Sequence, residues 1–143
     1  MKTFEELNQK LGGNEKSSDW HQHSNGEGWL HKSAKVEASA FVGPDAIVWG
    51  TVYDNAQVSG NARVYGDAQV YGNAWEKSPL FIIGSRNSLC NAKHGYLQIG
   101  CRCEKFRWWL GKEALKFAQD NHYTPAEIKE YRAYVKLFIA VGK

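Results

Sequence analysis

Four side chains in the second half of the chain could bind a metal. Cys90, His94, Cys101 and Cys103 give the spacing C-x3-H-x6-C-x-C, and four thiolate and imidazole ligands suit tetrahedral zinc. The last pair is C-x-C rather than the usual C-x2-C. Strand alternation would put both on one face, where free cysteine often serves as a small hydrophobe. The four are weak candidates, so no metal and no other cofactor is expected. Three cysteines cannot all pair within the chain, which argues for a reducing compartment or a metal rather than a disulfide framework.

General-base chemistry near neutral pH suits histidine, and the chain has five: His21, His23, His31, His94 and His122. No Walker loop, dinucleotide fingerprint or nucleophile elbow accompanies them, so no catalytic residue is assigned. Charge is unevenly spread. Residues 1–30 and 31–76 each hold three basic and five acidic side chains, whereas 77–143 hold twelve basic and five acidic. A basic C-terminal segment can steer an anionic partner. Arg102, Lys105, Arg107, Lys112 and Lys116 lie near Trp108, the mixture of cations and rings that stacks on nucleic acid, a less favoured reading. Outward Tyr65, Tyr71 and Trp75, with Arg63, Arg86 and Arg102, could stack on bases and pair phosphates. These six are the ligand-binding candidates.

The elements that position them follow a repeat. From Ala34 the chain reads AKVEAS, AFVGPD, AIVWGT, VYDN, AQVSGN, ARVYGD, AQVYGN, AW. Alanine recurs at 34, 40, 46, 56, 62, 68 and 74, with valine two places on at 36, 42, 48, 58, 64 and 70. Period-two alternation means short strands with even-numbered residues on one side, and a small residue every six positions allows sharp corners. Ala46 to Ala56 breaks the frame, with the slip expected at Val52–Asn55. Stacking at eighteen-residue intervals would align Tyr53 with Tyr71 and Ile47 with Tyr65. Trp49, Tyr53, Tyr65, Tyr71 and Trp75 then form an outward aromatic band suited to an interface or a ligand.

This run resembles the hexapeptide-repeat family of left-handed parallel β-helix proteins, and Leu30–Val36 looks like the opening coil of that family's acyltransferases. The resemblance implies a short left-handed parallel β-helix of about two turns and a homotrimer. It also raises acyl transfer as an alternative activity, although His31 is not at the family's catalytic position. The C-terminal strings GYLQIGCRC and HYTPAEIKEYRAYVKLF are similar to the tails of small phage and prophage proteins of unsettled function. Together with the repeat, that resemblance covers residues 31–143.

Flanking segments read as caps. Thr3 and Glu6 form a capping box, and Gly12-Gly13 ends the helix it opens. Pro79–Gly84 and Tyr96–Cys103 read as a hairpin. Phe106, Trp109, Leu110, Phe117 and Ala118 share a helical face, and Thr124-Pro125 opens a second helix. The expected fold is mainly β: a short left-handed parallel β-helix with a β-hairpin and a C-terminal helical hairpin as caps. The segments are an arm at 1–30, the repeat at 31–76, the hairpin at 77–103 and the helices at 104–143. The expected function is non-enzymatic: a cytoplasmic phage-derived protein that counters host immunity by sequestering a small anionic, nucleotide-like ligand between subunits. The alternative is occlusion of a host defence protein or nucleic-acid complex. No apolar run approaches the roughly 18 residues of a membrane span, and no membrane partner is expected.

Overall fold

The computed structural model describes residues 1–143, which divide into two compact units, Met1–Pro79 and Leu80–Lys143. In the first unit, helix α1 (Phe4–Lys10) precedes ten short strands. These are β1 (Trp20–Gln22), β2 (Trp29–His31), β3 (Lys35–Val36), β4 (Phe41–Val42), β5 (Ile47–Val48), β6 (Thr51–Tyr53), β7 (Gln57–Val58), β8 (Arg63–Val64), β9 (Gln69–Tyr71) and β10 (Ala74–Trp75). They form three sheets: β1-β2-β5-β8, in which β1 is antiparallel to β2, and two parallel sheets, β3-β6-β9 and β4-β7-β10.

Alternation decides what lies inside. Ala40, Val42, Ala46, Val48, Val52, Ala56, Val58, Ala62, Val64, Ala68 and Val70 are all buried. Each fully buried valine contributes about 1.5–3 kcal/mol by leaving water. Ile47 breaks the alternation because the N-terminal arm covers the outer side of its sheet with Leu7, Trp20 and Trp29. The arm is held by the capping box, in which Thr3 Oγ1 accepts from the Glu6 N–H while the Glu6 carboxylate accepts from the Thr3 N–H.

The frame slips at Trp49-Gly50 rather than at Val52–Asn55. Val48 and Val52 both point inward, so the corner between them is two residues short of a full hexad. Both corner amides reach the Val64 carbonyl, at 2.8 Å from Trp49 and 2.9 Å from Gly50. A Cβ on Gly50 would sit 2.5 Å from the Ala68 carbonyl oxygen, so only glycine fits. Tyr53 does pair with Tyr71, but Ile47 pairs with Arg63 and not with Tyr65. A second, one-residue shortening near Asn73 pairs Trp75 with Val58. One residue of slip exchanges the faces of a strand. Trp75, expected outward, is therefore buried at 2% exposure, while Ala74 is exposed.

The second unit has a four-stranded antiparallel sheet, β11 (Phe81–Ile83), β12 (Ser88–Lys93), β13 (Tyr96–Ile99) and β14 (Arg102–Lys105). A 3-10 turn at Phe106–Leu110 leads to helices α2 (Lys112–Asp120) and α3 (Pro125–Val141). The expected hairpin is thus a larger sheet, because Gly95 and Gly100, both at positive φ, turn the chain on either side of β13. The face expected for one long helix is divided, since Gly111 ends the 3-10 turn and starts α2. Thr124 caps α3 with Glu127 as expected. The core here is Leu89, Leu97, Ile99, Trp109, Ala114, Tyr131, Val135 and Phe138.

These findings correct the expected fold class. Fourteen short strands are divided among four separate small sheets, one mixed and one wholly antiparallel, and three helices accompany them. A single left-handed parallel β-helix does not describe the chain. The physical reason is that the repeat is too short and too often interrupted: its register advances by unequal steps, and the antiparallel strand β1 pairs onto β2. No helix is long and apolar enough to cross a membrane.

Candidate functional site

Aromatic side chains in the first unit gather into two stacks. Register brings Tyr53 and Tyr71 together on the β3-β6-β9 sheet, with ring centroids 4.8 Å apart and planes within 19°. The short Trp49-Gly50 corner sets the second stack. It places the Trp49 ring parallel to Tyr65, at 4.9 Å and 6°. The edge of Trp20 meets Trp49 at 5.2 Å, and His31 meets Trp20 at 5.1 Å. The column therefore runs from His31 through Trp20 and Trp49 to Tyr65. Tyr65 is 46% exposed, the largest exposed aromatic surface in the chain.

Arg63, two residues before Tyr65 and so on the same side of its strand, donates from its guanidinium to the Tyr65 hydroxyl at 3.2 Å. Its backbone N–H donates to Ser78 Oγ at 2.8 Å. An exposed ring face and a guanidinium thus stand side by side. Such a pair can take a planar group by stacking and an anionic group by charge-assisted hydrogen bonding. Trp49 belongs to this wall and was legible only as a member of the aromatic band. Its stacking partner depends on the corner.

The other sequence candidates are placed differently. Trp75 is in the core and offers no outer surface. Arg86, in the second unit, is engaged internally. Its guanidinium donates to the carbonyls of His122 and Asn121 at 3.1 and 2.7 Å, meets Glu127 at 3.3 Å, and lies 4.2 Å over the Tyr123 ring. Arg102 donates twice to Glu104 Oε1 and lies over both Trp108 and Phe117, at 4.4 and 4.8 Å. Both arginines, expected to pair phosphates, instead hold their own unit together. Of the proposed nucleic-acid face, Trp108 Nε1 donates to Glu113 at 2.7 Å and Lys116 pairs with Asp120 at 2.5 Å.

Histidine chemistry is local. His23 is buried, with Nε2 donating to the Ala40 carbonyl at 2.9 Å. His31 Nδ1 accepts from the Ser33 N–H at 3.2 Å and lies 2.8 Å from Ser33 Oγ, a turn contact two residues along the chain. No group of three or more His, Cys, Asp or Glu side chains is arranged to hold a metal ion. Cys90 is buried in β12, whereas Cys101 is exposed and Cys103 half-buried, with burial pushing the Cys103 thiol up from its ordinary value. Three surface carboxylates of the first unit are held below their ordinary values. Glu6 is lowered by the Lys2 and Thr3 N–H groups, Asp19 by the Lys32 ammonium, and Asp45 by the Met1 ammonium. In the second unit Glu130 is lowered by hydrogen bonds from Ser85.

The chain matches no protein-family model, no curated protein and no solved structure.

Proposed function

We propose that the chain is a non-enzymatic binding protein that holds a small, planar, anionic, nucleotide-like ligand on the Trp49–Tyr65 wall. One observation carries this reading: a parallel aromatic stack ends in a half-exposed Tyr65 ring with the Arg63 guanidinium bonded to its hydroxyl. Stacking on a base is worth about 1–3 kcal/mol, and a guanidinium adds recognition of phosphate. In a homotrimer, a neighbouring subunit would face the open side of Tyr65 and enclose the ligand between subunits. On the phage-like reading of the C-terminal tail, the ligand is a signal of host immunity in the host cytoplasm, and the protein acts by withdrawing it.

The test is a tryptophan-fluorescence titration with AMP and, in parallel, adenosine. Tyr65→Ala is expected to weaken both at least tenfold. Arg63→Ala weakens AMP at least tenfold and leaves adenosine unchanged. Equal binding of AMP by all three proteins removes the reading. Light scattering checks the trimer, and a monomer removes enclosure between subunits.

A further inference from the structure

The outer side of the β4-β7-β10 sheet carries an open groove of about 350 Å³, lined by Asn25, Ser39, Phe41, Asn55 and Gln57. That volume falls at the small end of ligand sites. None of the five side chains is charged, in a chain where 23% of residues are. Phe41 and Gln57 are register partners on β4 and β7, so ring and amide stand beside each other. Exposed Ala74, the next partner of Gln57, adds only a methyl to that side.

The ring packs closely against the backbone at two glycines. A Cβ on Gly26 would come within 2.8 Å of Phe41 Cε2, and one on Gly43 within 3.3 Å of Cε1. Gly26 also holds a φ of +109°, a left-handed conformation that favours glycine. Two glycines therefore seat an aromatic ring on the outer side of a sheet. The polar rim is partly fixed and partly open. Asn25 Nδ2 donates to the Ala40 carbonyl at 3.1 Å, leaving Oδ1 as an acceptor, and Ser39 Oγ donates to the Asp54 carbonyl at 3.0 Å, leaving its lone pairs. The side-chain amides of Asn55 and Gln57 are exposed and take no part in the protein's own hydrogen bonds, whereas the Gln57 backbone N–H donates to the Asn73 carbonyl at 2.9 Å.

We infer that this groove binds a neutral carbohydrate. A sugar presents an apolar C–H face to an aromatic ring. Around that face stand hydroxyls that both donate and accept, and side-chain amides and hydroxyls answer them in kind. An anion would meet amide and hydroxyl groups with no cation among them, and a purely apolar ligand would strand the amides without water. The open mouth makes the exchange fast and the affinity modest.

Titration of the isotope-labelled full chain tests this, with methyl β-glucoside, methyl β-galactoside, methyl α-mannoside and N-acetylglucosamine as probes. The side-chain amide NMR signals of Asn55 and Gln57 provide the readout. At least one sugar is expected to give saturable shifts at both amides, and Gln57→Ala to weaken that binding at least fivefold with spectral dispersion kept. Phe41→Ala is expected to weaken it at least tenfold. If Phe41→Ala does not fold, the Asn55→Ala/Gln57→Ala double variant takes its place with the same expected loss. The inference is overturned if no sugar gives a saturable shift, if the folded variants bind as well as the parent, or if AMP alone saturates these signals. Tyr65→Ala and Arg63→Ala should leave sugar binding unchanged, which separates this site from the aromatic wall.

Discussion

The two units solve the same problem of burial with opposite means. The first is built from strands of two or three residues whose interior is mostly alanine and valine, with Trp75 among them and the Leu7, Trp20 and Trp29 cluster over Ile47. Its order comes from backbone ladders and corners. The second has longer antiparallel strands and a core of large side chains, with Trp109, Tyr131 and Phe138 at its centre. Its order depends on side chains that clasp backbone. Tyr131 Oη accepts from the Arg86 and Asn87 N–H groups and donates to the Asn87 carbonyl, while Asn91, also buried, holds Lys93, Tyr96 and Lys143. Small repeated residues leave little to any one side chain and much to corner geometry, whereas a heterogeneous core concentrates stability in a few groups.

Truncating single core residues should show that contrast most strongly. Phe138→Ala is expected to cost about 3–5 kcal/mol, and Val58→Ala, which removes far less volume, about 2 kcal/mol. Urea unfolding followed by amide exchange within each unit measures both. Equal costs would mean that the aromatic core is no more concentrated than the valine one. Within the first unit, a corner should outweigh a valine. Gly50→Ala should lose about 3 kcal/mol, because the new methyl meets the fixed backbone of Ala68 and Tyr65. Gly66→Ala has open space and only an unfavourable φ of +30°, and should lose about 1 kcal/mol. Similar losses at the two glycines would show that close approach does not set the corner.

A smaller effect is expected at the clasp. Arg86→Ala should cost about 1–2 kcal/mol, since its ion pair is partly exposed and its carbonyl bonds are charge-assisted. Arg86→Lys should not restore it, because an ammonium cannot reproduce the planar fork that spans Asn121, His122 and Glu127 while stacking on Tyr123. Thermal unfolding of the two variants reads the difference. Acid should give the smallest effect. The lowered carboxylates Glu6, Asp19, Asp45 and Glu130 contribute stability above their ordinary range, and that contribution is lost as pH falls through their folded values. Three of the four lie in the first unit, so amide exchange there should accelerate more from about pH 5 downward than in the second. Equal acceleration would erase the contrast.

Much of the first unit was readable because its interior obeys a period of two. Alanine and valine at fixed even positions mark the buried side without any knowledge of neighbours, and two Thr-x-x-Glu boxes mark helix starts. The site was less readable. Tyr53 and Tyr71 met because eighteen-residue spacing survives between β6 and β9, although β3 and β6 on the same sheet are sixteen apart. Tyr65 found Trp49 only because the chain shortens at Gly50, a change that the gap between Ala46 and Ala56 signals without locating. Trp75 turned inward through a one-residue slip that the Ala-x-Val frame does not display. Arg86 and Arg102 read as free cations because nothing in their local sequence indicates the carbonyls, carboxylates and rings that other segments bring to them.

Composition and periodicity alone thus determined which residues are small, which alternate, where helices are capped and where positive charge collects, all properties of neighbours a few positions apart. The tertiary structure decided that the strands divide among four sheets, which aromatic rings face one another, and which arginines are already occupied. Those outcomes depend on register and on contacts between distant segments. A shift of one or two residues at a corner changes them while leaving every local preference intact.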